Sequence, residues 1–262
     1  MRASRLRCIG LAVLALLSLA APKAAHASDR PLTFGIGPLF GLGGAAAVDY
    51  DASSQVSGLP QGIGPGLGGP YGSFGVMTEA RIVKAIGVEF DYMRTAVSAS
   101  APIPLSVAGT PIDFGTVNVK FSQWHHELAL LGKLAIPIPI VAPIFGAGAT
   151  FVFPDVAMLD VSPALPTGVT IGTKQANWVY FTAVAGIELK LPIPKIDIRI
   201  PVLARFNWNV TSATCKANPT ALDPPCNLEV SANLGPPPTL SVTYNTSWKY
   251  QVGATAGIAV YF

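Results

Sequence analysis

Histidine beside carboxylate is the residue pair best able to do acid–base or metal chemistry, and His125-His126-Glu127 is where this chain sets them together. Neighbouring side chains of a strand point to opposite faces, so the two histidines cannot both turn to one ion or one substrate. A zinc site needs three or four converging ligands, and no second His or Cys cluster at ligand spacing accompanies this one. The expectation is therefore one inward histidine, one near a surface, no metal, no cofactor and no catalytic residues. Gly62, Gly64, Gly66, Gly68 and Gly69 form a glycine-rich stretch, but neither a GxxxxGK[ST] pattern nor a helix follows, so it reads as a surface loop and not a phosphate cradle.

The remaining candidates are charges embedded in strictly alternating segments. In Ile196, Ile198, Ile200, Val202, Ala204, Phe206 and Trp208 one face is apolar, while Asp197, Arg199, Leu203, Arg205 and Asn207 share the other. That period of two marks a strand with two different surroundings. The last strand repeats it, with Val252, Ala254, Ala256, Ile258, Val260 and Phe262 against Gln251, Gly253, Thr255, Gly257 and Ala259. The same rule yields strands over about 31–44, 71–82, 86–98, 118–134, 142–153 and 176–190, eight in all. Their polar faces carry Glu79, Arg81, Glu89, Asp91, Glu127, Lys133, Glu188, Lys190, Asp197, Arg199 and Arg205, six acidic and five basic. Gln123 and His125 lie on that face too. Pro201 falls on it and predicts a bulge or a local break in the ladder.

What must position these charges follows from composition. Half the residues are hydrophobic and 12% are charged, yet 26 Gly and 24 Pro interrupt every candidate helix. Only helices and closed barrels satisfy their backbone in lipid, so a membrane-like chain without spanning helices reads as a closed barrel. The soluble alternative is a secreted β-sandwich. A charge on the lipid side costs a few kcal/mol, about 2–4 at mid-membrane, which assigns the charged faces to the lumen. Connections after the second, fourth and sixth strands are short, and those at about 45–70, 99–116, 154–175 and 211–242 are long. Short periplasmic turns alternating with long extracellular loops are the expected asymmetry. Trp208, Trp248 and Tyr250 read as an outward aromatic girdle, whereas Trp178 and Tyr180 fall out of phase and predict a bulge or a slipped register.

The N-terminus carries Arg2, Arg5 and Arg7, an apolar run from Cys8 to about Ala20, and Ala25-His26-Ala27. This order reads as a secretory signal over 1–27, leaving 28–262 as the barrel. Cys215 and Cys226 are then the cysteines left in an oxidising compartment, and a disulfide is expected before free thiols or a metal site. A net charge of +3 is too small to imply nucleic acid.

The chain resembles the small outer-membrane β-barrel family, porin-like and of the OmpA and OmpX architecture. The resemblance is carried by His126-Glu127-Leu128-Ala129-Leu130-Leu131-Gly132-Lys133-Leu134, Pro143-Ile144-Phe145-Gly146-Ala147-Gly148, Ala183-Val184-Ala185-Gly186-Ile187-Glu188-Leu189, Ala204-Arg205-Phe206-Asn207 and Ala259-Val260-Tyr261-Phe262. It implies an integral outer-membrane protein without cofactor, and a terminal Phe262 that resembles the signal read by the outer-membrane assembly machinery. Lipid, that machinery and an extracellular ligand held by the loops are the implied partners.

Three functions stay open at this point. The first is a structural or surface-interaction barrel plugged by a charge network of Glu79, Arg81, Glu89, Asp91, Glu127, Lys133, Glu188, Arg199 and Arg205, since eight strands leave a lumen just wide enough for side chains to fill. Within it, Glu127 and Arg205 are expected to partner one another. The second is a narrow channel or small-ligand carrier, for which the inward glycines would leave space. The third is a membrane-embedded lipid hydrolase; its His, Ser and Glu set is incomplete, because the position two after His126 is Leu128.

Overall fold

The computed structural model describes residues 32–47, 68–82, 85–106, 113–162, 164, 169–174, 177–194, 196–211, 228–233, 239–245 and 248–262. Residues 1–27, read above as a secretory signal, Gly62, Gly64 and Gly66, and the pair Cys215 and Cys226 lie outside them. Among the described residues thirteen strands are formed: β1 (Leu32–Ala47), β2 (Gly68–Ile82), β3 (Ile86–Ser106), β4 (Asp113–Ala135), β5 (Val141–Pro154), β6 (Met158–Ser162), β7 (Val169–Lys174), β8 (Trp178–Leu191), β9 (Asp197–Asn209), β10 (Leu228–Asn233), β11 (Thr239–Asn245), β12 (Trp248–Gly257) and β13 (Ala259–Tyr261).

β1, β2, β3, β4, β5, β8 and β9 pair antiparallel in chain order, and β12 with β13, acting as one stave, joins β9 back to β1. The fold is all-β, a closed antiparallel barrel of eight staves. Alternation puts one apolar row outward on every stave: Phe34, Phe40 and Leu42 on β1, Phe74 on β2, Ile86, Val88 and Phe90 on β3, Leu130 and Leu134 on β4, and Phe145, Phe151 and Phe153 on β5 are all exposed. The opposite row is buried.

The eighth stave is interrupted at Ile258, and two prolines explain why. Ile258 N–H donates to the Pro38 carbonyl at 3.2 Å, but Pro38 has no N–H to return. On the other seam Pro201 stands opposite Gly257 in a register that continues unbroken from Val202↔Ala256 to Arg199↔Ala259. Pro201 therefore breaks one side of the ladder without a bulge, since its pairing with Glu188 of β8 stays in step.

Three expectations need correction. The connection placed at 99–116 is largely strand, because β3 and β4 stay paired up to Ser106↔Asp113. Its prolines are tolerable in the β3–β4 ladder: Ala85 O accepts from Ala135 N–H at 2.6 Å, so odd-numbered residues of β3 turn their backbone towards β4 and the missing N–H groups of Pro102 and Pro104 fall on the opposite side, beyond the last described residue of β2. The third and fourth long connections are not wholly irregular either. β6 adds to the projecting part of β4, and β7, β10 and β11 form a separate three-stranded sheet in which β11 runs parallel to β7.

The third correction concerns aromatic residues. No bulge or slip occurs at the top of β8, where the register with β5 runs evenly from Val152↔Trp178 to Val141↔Leu189, and both Trp178 and Tyr180 point inward. The irregularity lies in β12 instead: its register with β1 shifts between Ala46↔Tyr250 and Ala47↔Trp248. That extra residue turns Trp248 into the lumen and leaves Tyr250 outside, stacked on Phe206 with centroids 6.2 Å apart.

Candidate functional site

Among the described residues, the lumen is where the fold gathers titratable side chains in numbers. Inward alternation brings Glu79, Arg81, Glu89, Asp91, Glu127, Lys133, Glu188, Arg199 and Arg205 inside, each at most 4% exposed. Their arrangement along the axis is uneven.

At the end of the short turns they form an ionic floor. Arg81 clamps two carboxylates at once: Nε and Nη2 donate to the two oxygens of Glu79 at 2.8 and 3.0 Å, while Nη1 and Nη2 donate to those of Glu188 at 2.8 Å each. A planar guanidinium can do this because its five donors form a fixed fork. Lys133 Nζ donates to Glu89 at 2.6 Å and to Glu79 at 3.3 Å, bridging two carboxylates that face each other across the β2–β3 ladder. Arg199 holds Asp197 with two hydrogen bonds of 2.9 and 2.6 Å and reaches Glu188 at 3.3 Å.

Tyr261, noted in sequence only as the neighbour of Phe262, is part of this floor. Its hydroxyl donates to Glu79 at 2.6 Å, and the Arg199 guanidinium lies 4.1 Å from its ring centroid. The inward parity of the last strand was the available signal. Phe262 itself closes the seam, with backbone hydrogen bonds of 3.1 and 2.9 Å to Phe34.

Midway up, a polar chain crosses the barrel. Arg205 donates to Asp91 at 3.1 Å and to Thr150 at 3.0 Å; Thr150 and Thr182 hydroxyls are 2.6 Å apart, and Thr182 donates to Asn207 at 2.9 Å. Asn207 in turn donates to Gln251 at 2.9 Å. Higher still, His125 Nε2 lies 2.9 Å from a Glu127 carboxylate oxygen and 3.4 Å from the Gln251 amide nitrogen. Glu127 and Arg205 thus do not partner each other. Parity places both inside, but the pairing across a lumen depends on height, and Asp91 is the carboxylate that meets Arg205.

At the end of the long connections the lumen is capped by rings. Tyr71, Phe121, Trp178, Tyr180 and Trp248 pack with Ala45, Val97, Ala99 and Val152. Phe121 meets Trp248 edge-on at 5.6 Å, and Trp178 meets both His125 and Tyr180 at 5.7 and 6.1 Å. Edge-to-face contact is a favoured geometry for such pairs. His126, by contrast, faces outward: Arg94 Nη1 lies 2.9 Å from its Nε2, Tyr92 OH 2.8 Å from its Nδ1, and Arg94 also donates to Asp155 at 2.7 Å. With Trp124 under the Arg94 guanidinium at 5.3 Å, this is a paired polar cluster on the outer wall near the long connections.

The inward glycines are not gaps. A Cβ on Gly35 would lie 2.6 Å from the Tyr261 ring, one on Gly87 would collide with the Glu79 carboxylate, and ones on Gly37, Gly75, Gly148 and Gly186 would strike carbonyls of the adjacent strand. They let backbone and neighbouring side chains approach in a tightly curved wall.

No protein-family model matches the chain, and no curated protein does. Among solved structures it is similar to the translocator domain of the autotransporter NalP from Neisseria meningitidis, at 11% identity over 99% of this chain and 96% of that one, with a TM-score of 0.26.

Proposed function

We propose that this chain is an integral outer-membrane β-barrel with a closed lumen, a non-enzymatic scaffold that presents its long connections at the cell surface for interaction. Membrane residence is supported by the outer wall, where large apolar side chains recur on every stave with no aqueous reason to be there. Trp208, Tyr250 and Trp124 on the side of the long connections fit an interfacial girdle. In this reading lipid and the assembly machinery are the partners of the wall, and Phe262 is the residue the machinery reads.

The closed lumen rests on one observation: nine charged side chains fill it, each buried and each within hydrogen-bonding distance of a partner. An eight-stranded barrel has little room beyond its own side chains. The channel reading loses its main support, because the glycines invoked for an open path are occupied by neighbouring atoms. Planar-bilayer recording of the refolded protein tests this. The expected result is an electrically silent membrane; reproducible unitary steps from the unmodified chain would replace the plug with a pore.

A further inference from the structure

Two of the short turns are built alike, and neither resembles a water-facing hairpin. Ile136-Pro137-Ile138-Pro139-Ile140 links β4 to β5, and Pro192-Ile193-Pro194-Lys195-Ile196 links β8 to β9; with Leu191 before the second, an apolar-Pro-Ile-Pro motif occurs twice. Each makes the same tight three-residue turn around its first proline: Ile138 N–H donates to the Ile136 carbonyl and Ile193 N–H to that of Leu191, both at 2.8 Å. The turns stand side by side, since β5 and β8 are neighbours and Lys190 N–H donates to the Ile140 carbonyl at 2.8 Å.

Apart from Lys195 at the end of the second turn, a residue type whose long stem can carry its charge from apolar surroundings to the headgroups, their residues are apolar, and those described are exposed. Ile136, Ile138, Ile140, Leu191, Ile193 and Ile196 are between 38 and 67% accessible. From Ala135 to Pro143 there is no ionisable residue. Parity continues the outward rows into them: Leu130 and Leu134 lead to Ile136, Ile187 and Leu191 lead to Ile193, and Ile196 starts the outward row of β9.

Their backbone is short of donors. Of residues 136–139, two are prolines and the other two donate within the structure, Ile136 N–H to the Pro143 carbonyl at 2.9 Å; of residues 192–194, two are prolines and Ile193 donates. Water would satisfy free N–H groups at a turn without such measures, whereas lipid cannot, and each unsatisfied backbone group there keeps its full desolvation penalty.

We propose that these two turns are immersed in the bilayer, in the acyl-chain boundary of the leaflet at the short-turn end, where they extend the lipid-facing surface beyond the strands on one side of the barrel. The inference rests on the membrane reading above and adds its depth and asymmetry. Continuity of the apolar rows, rather than hydrophobicity alone, selects lipid over a soluble protein partner.

The test attaches an environment-sensitive fluorophore to Ile138→Cys or Ile193→Cys in the full chain carrying C8S, C215S and C226S. The labelled proteins are refolded into phosphatidylcholine vesicles containing lipids spin-labelled near the headgroup, with iodide as the aqueous quencher. Ile187→Cys serves as the wall control. Severalfold stronger quenching by the lipid than by iodide at 138 and 193 is expected. Labels there that iodide reaches and the lipid does not, while 187 is lipid-quenched, would overturn the immersed turns and leave the membrane barrel standing. If the 187 label is also untouched by lipid, the membrane reading itself falls, and the inference with it.

Discussion

The two ends of the lumen are filled by different physics. The floor is a set of charges whose distances must all be right, from Arg81 on two carboxylates to Lys133 on two more, whereas the cap is a stack of rings whose requirement is volume. A buried charge deprived of its partner keeps its desolvation penalty, while a ring made slightly smaller loses only contacts and a little transfer energy. The floor also stands where short hairpins hold adjacent strands close, which suits interactions with narrow tolerance. The cap lies where strands lead into long connections.

The largest expected effect breaks the floor. Arg81→Met leaves Glu79 and Glu188 without their clamp and should cost about 3–5 kcal/mol, measured by urea unfolding from vesicles. The double variant R81M/E188M removes both partners and should recover most of the loss, because Glu79 retains Lys133 and Arg199 retains Asp197. Equal instability of the single and double variants would mean that packing, not pairing, holds the floor.

Next comes the residue joining the floor to the closing strand. Tyr261→Phe keeps the ring beneath Arg199 but removes the hydroxyl donated to Glu79, and hydrogen bonds to charged groups are worth about 1.5–3 kcal/mol. A loss of about 2 kcal/mol is expected. A neutral result would assign Tyr261 to stacking alone.

How much of this was legible in the sequence divides along the same line. Alternation suffices to assign faces, because lipid and lumen impose opposite demands on odd and even positions; Glu79, Arg81 and Glu188 could be placed inside from parity. Partner choice could not, since whether Arg205 meets Glu127 or Asp91 depends on the stagger of the staves around the barrel. Aromatics were the least legible. An inward Trp178 and an outward Trp208 belong equally well to a plug or to a girdle by residue type, and Trp248 changed sides through a single added residue in β12. The stretch from 99 to 106 was read as connection, although β3 stays paired with β4 through it and Pro102 and Pro104 turn their missing donors away from β4, a side that only the paired sheet defines.

The polar chain between floor and cap should respond intermediately. Thr182→Val keeps shape but removes the hydroxyl that links Thr150 to Asn207, leaving a buried acceptor and donor less well matched. Leaving such a neutral group unpaired costs about 1–3 kcal/mol, and a loss towards the lower end is expected because Asn207 also lies within reach of Arg205. A larger loss would show that Arg205 and Asp91 depend on this chain for their alignment, so a T182V/D91N cycle should be additive if they do not.

The smallest effect is expected in the cap. Phe121→Leu replaces one buried ring by a branched aliphatic side chain of somewhat smaller volume, in a cluster that otherwise keeps Trp178, Tyr180, Trp248 and Tyr71. It forfeits the edge-on contact with Trp248, yet no charge or polar atom of Phe121 loses a partner. Near-isosteric apolar swaps cost under about 1.5 kcal/mol, so a loss of about 1 kcal/mol is expected in the same urea assay. Bilayer recording should stay silent, because the ionic floor closes the other end independently. If F121L instead destabilises the barrel as much as R81M, the cap is as exacting as the floor and the contrast between volume and distance fails. If F121L leaves stability intact but yields unitary steps, the seal resides in the rings, and the buried charges serve the wall and not the plug.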